Sequence, residues 1–181
     1  MIRIIGGKHR SRIIETPDNA EALPTKNLVR EALFSILGKS VDKAIVLDLF
    51  AGSGALGLEA LSRGASKAYF ADRDESAVRT IKANLAALKE EASAVVKKGD
   101  YLDVISYLGK EGVTIDIAFI DPPYKAVYYE SLIAMLLSSE MMADDSLIVV
   151  ESKRDIGMPI LEGRECRRYR YGISRLLIIR K

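Results

Sequence analysis

The tetrapeptide Asp121-Pro122-Pro123-Tyr124 is the stretch of this chain whose residue types and order could do chemistry. It follows Ile115-Asp116-Ile117-Ala118-Phe119-Ile120, an apolar run of strand length. Two consecutive prolines fix the backbone and remove two amide donors. The loop therefore displays acceptors, the Asp121 carboxylate and the Pro122 carbonyl. An amino group conjugated to a base ring is a poor nucleophile because its lone pair is delocalised. Acceptors that hold its N–H bonds can turn that lone pair out of the ring plane, toward an electrophilic methyl group. Tyr124 offers a face on which an extruded base can stack, worth roughly 1–3 kcal/mol. In-line placement would supply much of the rate, with neither a metal nor a strong base required. The candidate catalytic residues are Asp121, Pro122 and Tyr124.

A second segment, Asp48-Leu49-Phe50-Ala51-Gly52-Ser53-Gly54, can cradle a ligand. Glycines let the backbone approach closely and leave amides at a helix N-terminus free to donate. Gly52-Ser53-Gly54-Ala55-Leu56-Gly57 also fits the G-x-G-x-x-G pattern of dinucleotide sites. Asp72 lies 20 residues beyond Gly52, where a carboxylate can accept from ribose hydroxyls. Asp74 competes for that role. Asp100, in Gly99-Asp100-Tyr101, is placed to accept from an adenine amino group and equally to cap the helix after it, and the two roles are compatible. The candidate cofactor-binding set is Asp48, Ala51, Gly52, Gly54, Asp72, Arg73, Asp100, Tyr101 and Asp121. The glycine loop fits NAD as well as S-adenosylmethionine; the Asp121 loop decides for S-adenosylmethionine.

The elements that must position these loops alternate. Strands are expected at 44–49, 67–71, 94–96, 115–120 and 146–151, and helices at 55–63, 75–89, 101–109 and 128–138. Nearly all-apolar strands between helices indicate a parallel sheet covered on both faces. Ahead of this alternation, Ile4-Ile5 and Ile13-Ile14 around Gly6-Gly7 suggest a small hairpin, and Thr25 is a plausible cap for a helix through Leu37. Residues 164–180 read as two β-prone runs joined at Gly172-Ile173-Ser174, a terminal antiparallel hairpin. The expected division is a basic hairpin extension over 1–24 and one α/β domain over 25–181.

The chain has 181 residues, 49% hydrophobic and 29% charged, with no apolar run approaching a membrane span. One cysteine, Cys166, and one histidine, His9, argue against a disulfide framework or a structural zinc site. The expectation is a cytoplasmic monomer without metal. The net charge of +2 is unevenly spread. Arg3, Lys8, Arg10 and Arg12 make residues 1–14 +4, and seven basic residues against Glu165 make 163–181 +6. An acidic body with two basic ends suits a chain whose ends meet phosphates. Arg3, Lys8, Arg10 and Arg12 are the candidate RNA-binding residues.

With these residues in hand, the chain resembles the bacterial class I methyltransferases that modify N2 of a guanine in 16S ribosomal RNA. The resemblance runs through Arg3-Ile4-Ile5-Gly6-Gly7, Arg10-Ser11-Arg12, Pro24-Thr25, Val29-Arg30-Glu31-Ala32-Leu33-Phe34, Leu47–Gly57, Glu59-Ala60-Leu61 and Asp121–Tyr124. It implies a Rossmann-like fold, S-adenosylmethionine as methyl donor, and guanine 966 within the small ribosomal subunit or its assembly intermediate as target. The Asp-Pro-Pro-Tyr loop recurs in DNA adenine-N6 methyltransferases, the alternative reading. This chain departs from the family at Leu23, where arginine is usual, and at Asn27-Leu28, where Asp-Arg is usual.

Overall fold

The computed structural model describes residues 2–17, 24–122, 128–157, 161 and 163–181. Strands β3 (Ile45–Asp48), β4 (Lys67–Asp72), β5 (Ala94–Lys98) and β6 (Ile115–Ile120) are short and apolar, and each leads into or follows a helix. That pattern leaves both faces of every strand to be buried, and the sheet obliges. With β7 (Met142–Ser152), β8 (Cys166–Tyr171) and β9 (Ser174–Arg180) it has the order β5-β4-β3-β6-β7-β9-β8. The first five strands in that order run parallel, and the terminal hairpin pairs antiparallel to β7 through β9. The architecture is the Rossmann-like one expected.

One face of the sheet packs against α1 (Pro24–Leu37), α2 (Ala55–Ser62) and α3 (Glu75–Leu88), through Phe34, Leu58, Leu61, Ile81 and Leu85. Ile4 and Ile14 belong to the same apolar cluster. The other face packs against α4 (Tyr101–Lys110) and α5 (Tyr129–Ser138), through Leu108, Leu132, Ile133 and Leu136. Among the described residues, no helix is long and apolar enough to cross a membrane.

Three of the boundaries that differ from the sequence reading have a clear physical cause. The N-terminal hairpin pairs β1 (Ile2–Arg3) with β2 (Ile13–Ile14), so Ile4-Ile5 is not the strand. The backbone amides of Ile5 and Gly6 turn to the Glu59 carboxylate, both at 2.8 Å, which takes them out of a ladder. Helix α1 begins at Pro24, a residue suited to a first turn that has no use for its amide hydrogen, so Thr25 lies inside the helix. Strand β7 begins at Met142 rather than near Ser146, crossing a register irregularity where Asp144 and Asp145 hide the alternation.

Candidate active site

Ligands in open α/β sheets bind beyond the carboxyl ends of the strands, where the order reverses. Here that point lies between β3 and β6, and the two loops singled out above begin there. Asp48 ends β3 as a buried carboxylate that accepts from the Gly57 amide at 3.0 Å, tying the strand end to α2. Gly52 and Gly54 take φ of 54° and 79°, which turns the chain into α2, with Gly54 as its N-cap. A Cβ on Gly57 would stand 2.3 Å from the Phe70 ring, so the third glycine lets the helix lie close on β4. A Cβ on Gly52 would meet nothing within 4 Å, which leaves its outer side open for a ligand.

Asp72, at the end of β4, accepts from the Gly52 amide at 2.8 Å with one oxygen and from the Asp74 amide at 2.9 Å with the other. Each oxygen keeps acceptor capacity for a ribose hydroxyl. Asp74 turns the other way and caps α3 by accepting from the Ser76 amide at 2.8 Å. Of the two acids, Asp72 is the one bonded to the glycine loop. Arg73 beside it is exposed.

Asp48, Asp72 and Asp121 form an electrostatic cluster. Burial pushes the Asp48 carboxyl up to about 7, the Gly57 amide opposes this, and the charges of Asp121 and Asp72 add to the rise. A cation at this point would favour the ionised form and relieve the repulsion. Asp121 is half-buried and Pro122 buried at the end of β6; Tyr124, with Pro123, lies outside the described residues. Beneath Asp121 sits Tyr129, the buried first residue of α5, whose hydroxyl is pushed up to about 12 by burial and then by Asp121. The Arg154 guanidinium covers the Tyr129 ring at 5.4 Å.

Asp100 caps α4, accepting from the Leu102 amide at 3.1 Å, and stands exposed beside Tyr101. Tyr101 belongs to a group of three rings to which the sequence reading assigned no common role. Tyr101 and Tyr128 stack with centroids 5.0 Å apart, and Phe50 lies 5.6 Å from Tyr101 and 6.2 Å from Tyr128. A signal for them existed. Phe50, Tyr101 and Tyr128 follow β3, β5 and β6, and parallel topology brings those strand ends to one rim. The rings form an apolar wall with polar edges, suited to the flat face of a purine.

The N-terminal basic residues are exposed, and most have protein partners. Arg3 donates to the Ser11 carbonyl at 2.9 Å and Arg12 to the Ala87 carbonyl at 3.1 Å. Lys8 and His9 both reach one oxygen of Glu90, at 2.6 Å and 2.5 Å. His9 is therefore a tether between the hairpin and the end of α3. Arg10 stands exposed. Sequence reasoning missed the acceptors behind this arrangement: Glu59, Ser62, Asn84 and Glu90, all buried on α2 or α3 or just beyond. Asn84 joins the N-terminal segment to the cofactor loop. Its side chain accepts from the Glu15 amide at 2.8 Å and donates to the Glu15 and Ser53 carbonyls, both at 3.0 Å.

The family model described as conserved hypothetical protein 95 matches residues 2–180. Ribosomal RNA small subunit methyltransferase D of Escherichia coli K12 is 41% identical over 158 residues, covering 87% of this chain and 78% of that protein. The solved structure of hypothetical protein TTHA0928 of Thermus thermophilus is 30% identical and superposes with a TM-score of 0.84, covering 99% of both chains. SMU.776, solved in complex with SAH, is 19% identical with a TM-score of 0.70 over 88% of this chain and 50% of that one, a likeness of fold.

Proposed function

The chain belongs to the conserved hypothetical protein 95 family, which includes ribosomal RNA small subunit methyltransferase D, and from that premise we propose that it methylates ribosomal RNA of the small subunit, at N2 of a guanine, with S-adenosylmethionine as donor. The observation that carries this reading is the convergence of Asp48, Asp72 and Asp121 on a glycine loop whose outer side is open, with Asp121-Pro122 ending the adjacent strand.

S-adenosylmethionine supplies a methyl group on a cationic sulfonium. The three carboxylates favour a cation over a neutral group of the same shape. Asp72 holds the ribose hydroxyls, Asp100 accepts from the adenine amine, and the loop from Ala51 to Gly54 lines the intervening backbone, with Arg73 and Tyr101 at the rim. Asp121 and the Pro122 carbonyl accept the two N–H bonds of the guanine amine and aim its lone pair inward. Tyr124 supplies the stacking face for the extruded base. As the nitrogen gains its methyl group, S-adenosylhomocysteine would leave as a neutral thioether and the amine would lose one proton, which Asp121, unlike the Pro122 carbonyl, can take up as a carboxylate. Arg3, Lys8, Arg10 and Arg12, all exposed, contact RNA phosphates.

The test is Asp121→Ala, assayed for methyl transfer to small subunits lacking the modification, with digestion to identify the methylated base. The expected outcome is a loss of ~10²-fold or more in kcat, with affinity for S-adenosylhomocysteine within a few fold of wild type. Near-normal turnover would overturn the mechanism. Label appearing in duplex DNA and not in ribosomal RNA would overturn the substrate.

A further inference from the structure

The terminal hairpin carries an arrangement that folding alone does not reward. Strands β8 and β9 meet in a two-residue turn, with Gly172 at φ 59° supplying the positive φ such turns need. Tyr171 pairs with Ser174 nearest the turn, and Arg170 pairs directly with Arg175 behind it. Directly opposed residues share one face of the sheet, and like charges so placed repel. The Tyr171–Ser174 pair closes the turn with hydrogen bonds, so the Arg170–Arg175 pair is of the narrow type, in which side chains stand closest. Both guanidiniums converge on one acceptor, the Gly172 carbonyl, from Arg170 Nε at 3.3 Å and from an Arg175 terminal nitrogen at 3.4 Å.

Carboxylates offset this charge incompletely. Arg175 pairs with Asp155 at 3.1 Å, an acid whose side chain is 84% exposed, and among the described residues no carboxylate lies within salt-bridge distance of Arg170. Elsewhere in the hairpin Glu165 takes both Arg167 and Arg180. Arg168 lies on the same face as Arg170, one pleat farther from the turn, and is exposed. Since β8 is the sheet's edge, one charge there would suffice to deter edge pairing. Two opposed arginines at the turn exceed that need.

Their position relative to the active site is fixed by register. Ile120 lies level with Val150, Val150 with Leu177, and Ser152 with Arg175, which lies level with Arg170. The pair therefore stands level with Pro122, two and three strands away, roughly 10–15 Å at ~4.8 Å per strand. We propose that Arg170 and Arg175 form a phosphate clamp that holds the RNA backbone a few nucleotides from the target base, resting on the reading of the chain as an rRNA methyltransferase. Guanidinium forks suit phosphate oxygens, and an intervening anion turns the repulsion across the hairpin into attraction.

The test compares wild type, Arg170→Ala, the double variant Arg170→Ala/Arg175→Ala and the double lysine variant. Each is measured for methyl transfer to unmodified small subunits and for binding to protein-free 16S rRNA across a salt series. The expected result for the double alanine variant is a KM for subunits raised about tenfold, kcat within twofold, and a salt slope lowered by about 1 per arginine. Arg170→Ala alone, which removes no ion pair, should show about half the slope change. Lysine should restore the slope, and unchanged S-adenosylhomocysteine affinity would show that the fold is intact. An unchanged slope with KM within twofold of wild type would overturn the clamp while leaving methyl transfer standing. Normal binding to protein-free rRNA with weakened binding to subunits would overturn it in favour of a protein contact. Absence of transfer by the wild-type chain would overturn both readings.

Discussion

The two basic ends of this chain carry similar charge and have been put to different physical use. At the N-terminal end, backbone amides and the side chains of Lys8 and His9 are drawn onto buried acceptors, while Arg3 and Arg12 donate to exposed carbonyls. Glu59 is 0% exposed and receives two backbone amides and Arg63 Nε, the last at 2.7 Å. Ser62 accepts the His9 amide at 2.9 Å, and Gly7 lies so close that a Cβ would stand 1.8 Å from the Ser62 carbonyl oxygen. At the C-terminal end, arginines stand on the terminal hairpin with exposed acids or none as partners. Charge counted along a sequence cannot separate these cases. The burial of the opposing acceptor can, because a buried acceptor ties its donor to the fold while an exposed one leaves it available to a ligand.

The largest expected effect breaks the N-terminal side of this contrast. Glu59→Gln keeps the shape but removes the charge that faces two backbone amides, Arg63 and Arg30, the last at 3.8 Å. Arg30 is itself buried, and burial lowers its tendency to hold a proton while Glu59 raises it. Breaking a buried charge network of this kind costs about 3–5 kcal/mol. For a chain of this length that is a fall in Tm on the order of 10 °C. Arg170→Ala, by comparison, should leave Tm where it is. Equal Tm shifts in calorimetry for the two would remove the distinction between the ends.

Asn84→Ala comes next, and it separates support from substrate binding. The substitution leaves Glu15 and Ser53 without their shared partner, at about 1–3 kcal/mol of stability. Because Ser53 lies in the glycine loop, affinity for S-adenosylhomocysteine should also fall, by about fivefold if ~1 kcal/mol of the loss falls on the bound conformation. Isothermal titration checks this. Affinity equal to wild type would mean that the N-terminal segment and the cofactor loop are mechanically independent.

Much of this molecule was legible in the sequence, and what was not has a common cause. The strands and helices, the parallel sheet with its terminal hairpin, and the loops at Asp48–Gly54 and Asp121–Pro122 follow from periodicity and from glycine and proline at element ends. The structural roles of Glu59, Asn84 and Glu90 escaped notice because each is a polar residue on or beside an amphipathic helix, where sequence alone suggests a solvated position. Their partners Gly6, His9 and Glu15 lie 53, 81 and 69 residues away along the chain. The ring group of Phe50, Tyr101 and Tyr128 escaped for a related reason: it exists only once the strand order is known. The opposed pair Arg170–Arg175 required the register of the terminal hairpin, which a one-residue slip would have destroyed.

The smallest effect sharpens the contrast by titrating both ends. For Glu90, burial pushes the carboxyl up, but hydrogen bonds from Lys8 and His9 outweigh it and hold the group below its ordinary 4.5. A carboxyl depressed in the folded state stabilises above its unfolded value, and that contribution is lost as pH falls through the folded value. Glu165 is likewise held below 4.5, by hydrogen bonds from Arg167 and Arg180, but it is exposed to solvent. Solvent and salt screen that second site far more than the first. Glu90→Gln should therefore cost about 1–2 kcal/mol at pH 7 and less at pH 3, since the carboxylate accepts from Lys8 and His9 most strongly while ionised. Glu165→Gln should produce no resolvable change in Tm at either pH, and 0.5 M salt should leave the gap between the two variants in place. If salt closed that gap, Glu90 would be behaving as a surface acid, and the N-terminal end would be held no more firmly than the C-terminal one.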